Sequence, residues 1–175
     1  MVLSRTPRYT HEADIEAFRS MSAKVSPPDI QALQMSDLPY TIDVLRLAAE
    51  AHGAGRLAPP CLSHTEANPV CGDRTTVDLR LVGDRITAIA HDTRACVLTQ
   101  ASAAILGEAL AGHSTAELTG LHEAVTAMLT GGPAPDGAFA AYRHLADVAQ
   151  HPARHRCVLL PLEAAIKAVS AHSHA

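Results

Sequence analysis

The sequence predicts an α+β fold, a small antiparallel sheet of about three strands with helices packed on one face. Val77, Leu79 and Leu81 alternate with Asp78 and Arg80, and after a turn Ile86, Ala88 and Ala90 repeat the period-two pattern of a half-buried strand. The residues that follow carry helical spacing and helix-start signals, and one helical stretch precedes the strands. The chain of 175 residues holds 33 alanines but only 3% aromatic residues, so its core is thin and aliphatic, as suits closely packed Ala-rich helices.

Residues 1–35 read as an N-terminal extension, expected to be flexible, with Pro7, Pro27, Pro28 and mixed charge. This stretch lacks the apolar core of a secretion signal, and Glu12, Asp14 and Glu16 do not suit a transit peptide, so a cytoplasmic protein is expected. Residues 36–175 form the expected domain. Ser36-Asp37-Leu38-Pro39 reads as a capped helix start, and Ile42, Leu45, Leu47 and Ala48 as the apolar face of a helix ending near Gly53 and Gly55. Pro59, Pro60, Asn68 and Pro69 make residues 56–70 a loop, or a short edge strand at best.

With Gly83 and Asp84 as a two-residue turn, Leu81 faces Ile86, Leu79 faces Ala88 and Val77 faces Ala90, three apolar pairs. Leu98 to Leu110 reads as the next helix. Ser114-Thr115-Ala116-Glu117 is a capping box ahead of the stripe Leu118, Leu121, Val125 and Met128. Gly131-Gly132-Pro133 interrupts the chain. Phe139, Tyr142 and Leu145 then suggest a further helix closed by His151-Pro152, and Leu159, Leu162, Ile166 and Val169 a last one in which Pro161 falls near the start.

Composition removes several functional classes. No apolar run is long enough to span a membrane. A formal charge of −4 provides no broad basic field for nucleic acid. Four cysteines are too few for a disulfide-stapled secreted module and point to thiol or metal chemistry.

The same hairpin register, extended to its open end, sets Cys71 opposite Cys96, with Asp73 on the same strand face as Cys71. Cys96 directly precedes a helix, and Cys157 is expected at or just before the start of the last one. Unpaired N–H groups at a helix start favour thiolates, the form that binds metal or attacks sulfur, and Arg154, His155 and Arg156 add positive charge beside Cys157. Three thiolates and a carboxylate would make a four-ligand metal site. No Cys-x-x-Cys pair is present, and the equally weighted reading is that each cysteine is a small buried hydrophobe. Cys61 reads as a surface or edge thiol, His155 as a basic-loop residue or an alternative to Asp73, and Asp78 and Arg80 as the solvent face of the strand. A Cys/His/Asp hydrolase site finds no oxyanion-loop motif to support it.

Asn68-Pro69-Val70-Cys71-Gly72-Asp73-Arg74 resembles the Asn-Pro-x-Cys-Gly-Asp signature of the U-type iron–sulfur scaffold proteins, the IscU/SufU/NifU N-terminal family. The likeness continues through the hairpin, Cys96 before an Ala/Ser-rich helix, the run Ala111 to Leu118, and Cys157 late in the chain, and covers roughly residues 38–170. Tyr40 stands where family members carry a Tyr near the first helix. The long separation of Cys96 from Cys157, Arg74 after Asp73, and Pro152-Ala153-Arg154 resemble the SufU branch. Arg156 stands where IscU proteins place a His, and their Leu-Pro-Pro-Val-Lys chaperone segment is missing from this sequence. The chain departs from the family pattern in Asp92-Thr93-Arg94-Ala95 ahead of Cys96, where glycines are usual, and in Leu98 and Thr99 after it.

The resemblance implies that Cys71, Asp73, Cys96 and Cys157 bind an iron–sulfur cluster, of the 2Fe–2S kind, or zinc. It further implies a scaffold or sulfur acceptor rather than a turnover enzyme, with a cysteine desulfurase and apo iron–sulfur acceptor proteins as partners, and neither nucleic acid nor membrane.

Overall fold

A computed structural model describes residues 40–172. The expected extension over residues 1–35 and the helix start at Ser36 to Pro39 lie outside them. The elements run α1 (Ile42–Glu50), β1 (Leu62–Asn68), β2 (Asp73–Val82), β3 (Arg85–Arg94), α2 (Val97–Ala109), α3 (Thr115–Met128), a 3₁₀ helix (Gly137–Gln150) and α4 (Pro152–His172). The sheet is antiparallel in the order β1-β2-β3. The helices pack against it, α4 on β1 and β2 and α2 on β3, with α1 against α2. This is the α+β arrangement expected.

The side chain of Thr41 caps α1 by accepting the Val44 N–H at 3.3 Å. Its buried face is Val44 and Ala48, while Ile42 and Leu45, expected inside, are exposed. Helix α1 ends at Ala51, in the left-handed region, and the chain turns at His52-Gly53 against Gly107 of α2. A Cβ on Gly107 would sit 2.2 Å from the His52 carbonyl oxygen, so only glycine allows this approach.

One reading of the strands narrows and two change. Residues 62–68 form the edge strand of the two expected alternatives, seven residues long and fully paired with β2, and Arg56 and Arg80 tie the Pro-rich segment before it down beside the sheet. Arg80 donates to the Ala58 carbonyl at 2.9 Å, and Arg56 donates from Nε and Nη2 to the two Asp78 carboxylate oxygens at 2.6 and 2.9 Å. Asp78 is therefore fully buried, not on the solvent face. Finally, Leu81 pairs with Ile86 as expected, but a bulge near Thr87 then shifts the ladder by one residue, so Leu79 faces Ile89 and Val77 faces His91. The Thr87 hydroxyl donates to the Arg80 carbonyl at 3.1 Å and holds the bulge.

Helix α2 is buried on nearly every side, from Leu98 to Leu106, which its alanines and serine make possible at short packing distances. The capping box at α3 forms as read, Ser114 and Glu117 bonding reciprocally. Phe139, Tyr142, Leu145 and Val148 recur every third residue, and the segment winds as a 3₁₀ helix that aligns them along one buried edge. Helix α4 starts at Pro152, so Cys157 lies inside the helix rather than at its start, and Pro161 is interior. Pro161 has no N–H to offer the Cys157 carbonyl four residues back, and the next carbonyl, of Val158, accepts the Ser102 hydroxyl of α2 at 2.6 Å. No helix among the described residues is long and apolar enough to cross a membrane.

Candidate metal centre

The β1–β2 hairpin ends in Asn68-Pro69-Val70-Cys71-Gly72-Asp73, and each residue has a mechanical part. The Asn68 side-chain oxygen accepts the Val70 N–H at 3.2 Å, and the Asn68 carbonyl accepts the Gly72 N–H at 2.9 Å. Gly72 has φ +74, with open space where a Cβ would stand, so backbone conformation rather than crowding calls for glycine. The turn leaves Cys71 exposed and points Asp73 inward, where it is buried.

Cys157 rises from α4 beneath this loop, fully buried, with its sulfur 3.9 Å from that of Cys71. The ligand atoms of Cys71, Asp73 and Cys157 all lie within 4.8 Å of one another. Cys96, the N-cap of α2, borders this group, but its sulfur is not among the atoms that lie within 4.8 Å of one another. It adopts φ −64 and ψ 164, extended backbone, and none of residues 92–95 ahead of it has a positive φ, so this junction forms without the usual glycines. Its N–H donates to Asp73 Oδ1 at 2.9 Å, and its sulfur lies 3.6 Å from the Thr99 hydroxyl. The register shift at Thr87 means that Cys96 meets the others through the start of α2, not by facing Cys71 across an extended ladder.

Asp73 accepts a second hydrogen bond, from the Thr99 hydroxyl to Oδ2 at 2.7 Å. Burial pushes this carboxyl up, but the hydrogen bonds from Thr99 and Cys96 outweigh it and hold Asp73 below the ordinary carboxylate value. The neighbouring Cys157 thiol lowers Cys96 to about 6 against the opposing effect of burial, while Cys96 and burial raise Cys157. The thiolate form is thus favoured on Cys96 over Cys157, at the start of α2, where the helix dipole adds to the preference.

The flanking residues divide sharply. Arg156 turns away from the cysteines to Glu66 and the Ala67 carbonyl at 3.3 and 3.4 Å, and Lys167 holds the same Glu66 at 2.6 Å. These contacts tie β1, which leads into the Cys71 loop, to the helix that carries Cys157. His155 bonds the Ala149 carbonyl at 3.3 Å and has no place among the ligand atoms. Cys61 precedes the far end of β1, roughly 20 Å along a seven-residue strand from the Asn68 loop, with its thiol near the Leu57 carbonyl.

The family model described as NifU-like N terminal domain matches residues 39–158, a span that contains all four residues. The chain belongs to that family. Within the NifU-like family, the iron–sulfur cluster assembly scaffold protein IscU of Thermotoga maritima is 26% identical over 134 residues, which cover 75% of this chain and 94% of that protein. The crystal structure of a nitrogen-fixing NifU-like protein (N-terminal) from Brucella abortus superposes with a TM-score of 0.76 at 30% identity, covering 80% of this chain and 97% of that one. A putative scaffold protein for the SUF system from Fervidobacterium islandicum shares the fold, with a TM-score of 0.62 at 23% identity, covering 72% and 93%. The NifU-like domain is thus of an iron–sulfur cluster assembly scaffold family, with the three-stranded α+β fold of its neighbours.

Sequence reading of this NifU-like domain missed Thr99, which stood out only as a departure from the small residues usual there. A signal was available: a hydroxyl residue three positions after a helix N-cap projects back toward whatever faces that helix end. It also missed Arg56 and His91. The buried His91 ring bonds the His52 carbonyl at 2.9 Å and the Thr93 hydroxyl at 3.0 Å, and no local pattern marked it.

Proposed function

We propose that this protein accepts sulfur from a cysteine desulfurase, binds iron and passes a nascent iron–sulfur cluster to apo acceptor proteins in the cytoplasm, with Cys71, Asp73, Cys96 and Cys157 as ligands. The observation that supports this reading is the gathering of the Cys71 and Cys157 thiols and the Asp73 carboxylate within 4.8 Å of one another, with Cys96 bordering the group through its N–H on Asp73. Soft thiolates suit iron and sulfide, and a harder carboxylate oxygen among them makes one bond easier to break, which suits cargo that must leave. Cys71 at the exposed turn offers a route in, while buried Cys157 and Asp73 anchor the cargo below.

A second reading is favoured by one distance. The 3.9 Å separation of the Cys71 and Cys157 sulfurs is close to the edge of a tetrahedron built on zinc–sulfur bonds of about 2.3 Å. In that reading a zinc ion holds the thiolates until a desulfurase delivers persulfide sulfur, and no cluster is carried.

Anaerobic purification with metal analysis and absorption spectroscopy separates the two. Visible charge-transfer bands with stoichiometric iron support the scaffold, and colourless protein with one zinc per chain supports the sulfur acceptor. Neither metal, before or after incubation with a desulfurase, iron and cysteine, would overturn both.

A further inference from the structure

Asp73 is held by more than its own strand. Its two oxygens accept from different groups at the start of α2, Oδ1 from the Cys96 N–H at 2.9 Å and Oδ2 from the Thr99 hydroxyl at 2.7 Å. Thr99 is fully buried, and its single hydroxyl proton is committed to the carboxylate. The same oxygen lies 3.6 Å from the Cys96 sulfur, so one side chain touches two of the four candidate ligands.

We propose that Thr99 is a positioning residue of the ligand site, fixing the rotation of the Asp73 carboxylate so that it faces the cation that Cys71 and Cys157 share. This rests on the metal-binding reading above and extends it to a residue outside the ligand set. The N–H of Cys96 alone would leave the carboxylate free to turn about its terminal bond, which is a broad, soft torsion. A second donor on the other oxygen removes that freedom. It does not exhaust the group, since an ionised carboxylate offers about four lone-pair sites and these two bonds occupy two. Both donors are uncharged, so the carboxylate keeps its negative charge available to a cation, and an orienting hydrogen bond of this kind is what holds ligands in metal sites.

The experiment uses the full chain, stripped with a chelator and titrated with zinc and with cobalt(II), whose thiolate charge-transfer and d–d bands report the ligand field. Thr99→Val, which keeps the shape and removes the hydroxyl, is expected to weaken affinity by about 10–100-fold and to alter the cobalt spectrum. Thr99→Ser is expected to restore both. In an Asp73→Ala background the valine substitution should cost nothing further, because Thr99 acts through Asp73. Circular dichroism verifies folding, and Thr99→Ala replaces the valine variant if that one does not fold. Unchanged affinity and spectrum in Thr99→Val, or an equal loss with Asp73 already removed, would overturn the role of Thr99 while leaving the metal site standing. A parent chain that binds neither ion would overturn both readings together.

Discussion

Asp73 and Asp78 lie on the same strand, five residues apart and on opposite faces of the sheet, and both are buried. Their partners differ in kind. Asp78 meets a guanidinium on both oxygens, with the Leu57 N–H as a third donor. Its charge is neutralised inside the protein, and it anchors the segment that crosses from α1 to β1. Asp73 meets an N–H and a hydroxyl, both neutral, and shares its surroundings with three thiols. A buried carboxylate with a fixed cation is structural, and one oriented by neutral donors beside soft ligands is equipped to take a cation from outside.

The largest expected contrast is in metal binding. Asp73→Ala should lower zinc affinity by at least about 10-fold, as even outer partners of metal ligands do when removed, and Asp78→Asn should leave it unchanged. Competition with a chromogenic chelator measures both. Equal losses in the two variants would break the distinction.

The order reverses for the fold. Asp78→Asn weakens the ion pair between a buried carboxylate and the half-exposed Arg56 and should cost about 1–3 kcal/mol in urea unfolding of the metal-free protein. Asp73→Asn loses chiefly a contact at the α2 start and should cost nearer 1 kcal/mol.

Acid should sharpen the comparison. Burial raises Asp78, and the hydrogen bonds from Arg56, Ser63 and the Leu57 N–H more than reverse it, so its folded value lies below the ordinary carboxylate value. Asp73 is lowered as well. A carboxyl lowered on folding contributes stability that is fully present above its unfolded value, near pH 4, and is lost as the pH falls through the folded one. The stability of the parent should therefore decline below about pH 5, and Asp78→Asn should flatten part of that decline. Added salt should shrink the difference, because half of the Arg56 side chain faces water.

The smallest effect concerns the thiols beside Asp73. With Cys96 lowered to about 6, its alkylation by iodoacetamide in the metal-free protein should be nearly independent of pH from 7 upward and slow only in more acid solution. Peptide mapping reads Cys96 separately from exposed Cys71. A rate that climbs tenfold per pH unit between 7 and 8 would place the thiolate elsewhere.

Much of this was legible in the chain. Alternation over Val77–Leu81 and Ile86–Ala90 marked the hairpin, and Ser114 with Glu117 marked the start of α3, because these signals are local and their energetics are contained within a few residues. The run Asn68 to Asp73 announced a turn, since proline, glycine and an Asn side chain build it without outside help. The bulge at Thr87, the interior position of Cys157 and the burial of Asp78 were not legible. Each depends on a partner distant in sequence: the sheet that accommodates one extra residue, the helix that begins at Pro152, and the Arg56 segment that folds over the strand.

The sequence by itself determined the family, the α+β class and the identities of three thiols and a carboxylate, because residue type and order suffice for those. Only the tertiary structure decided that the Cys96 N–H and the Thr99 hydroxyl both bond Asp73 and that Arg156 bonds Glu66. Distances of a few ångströms between residues remote in the chain arise from packing, and periodicity along a sequence carries no record of them.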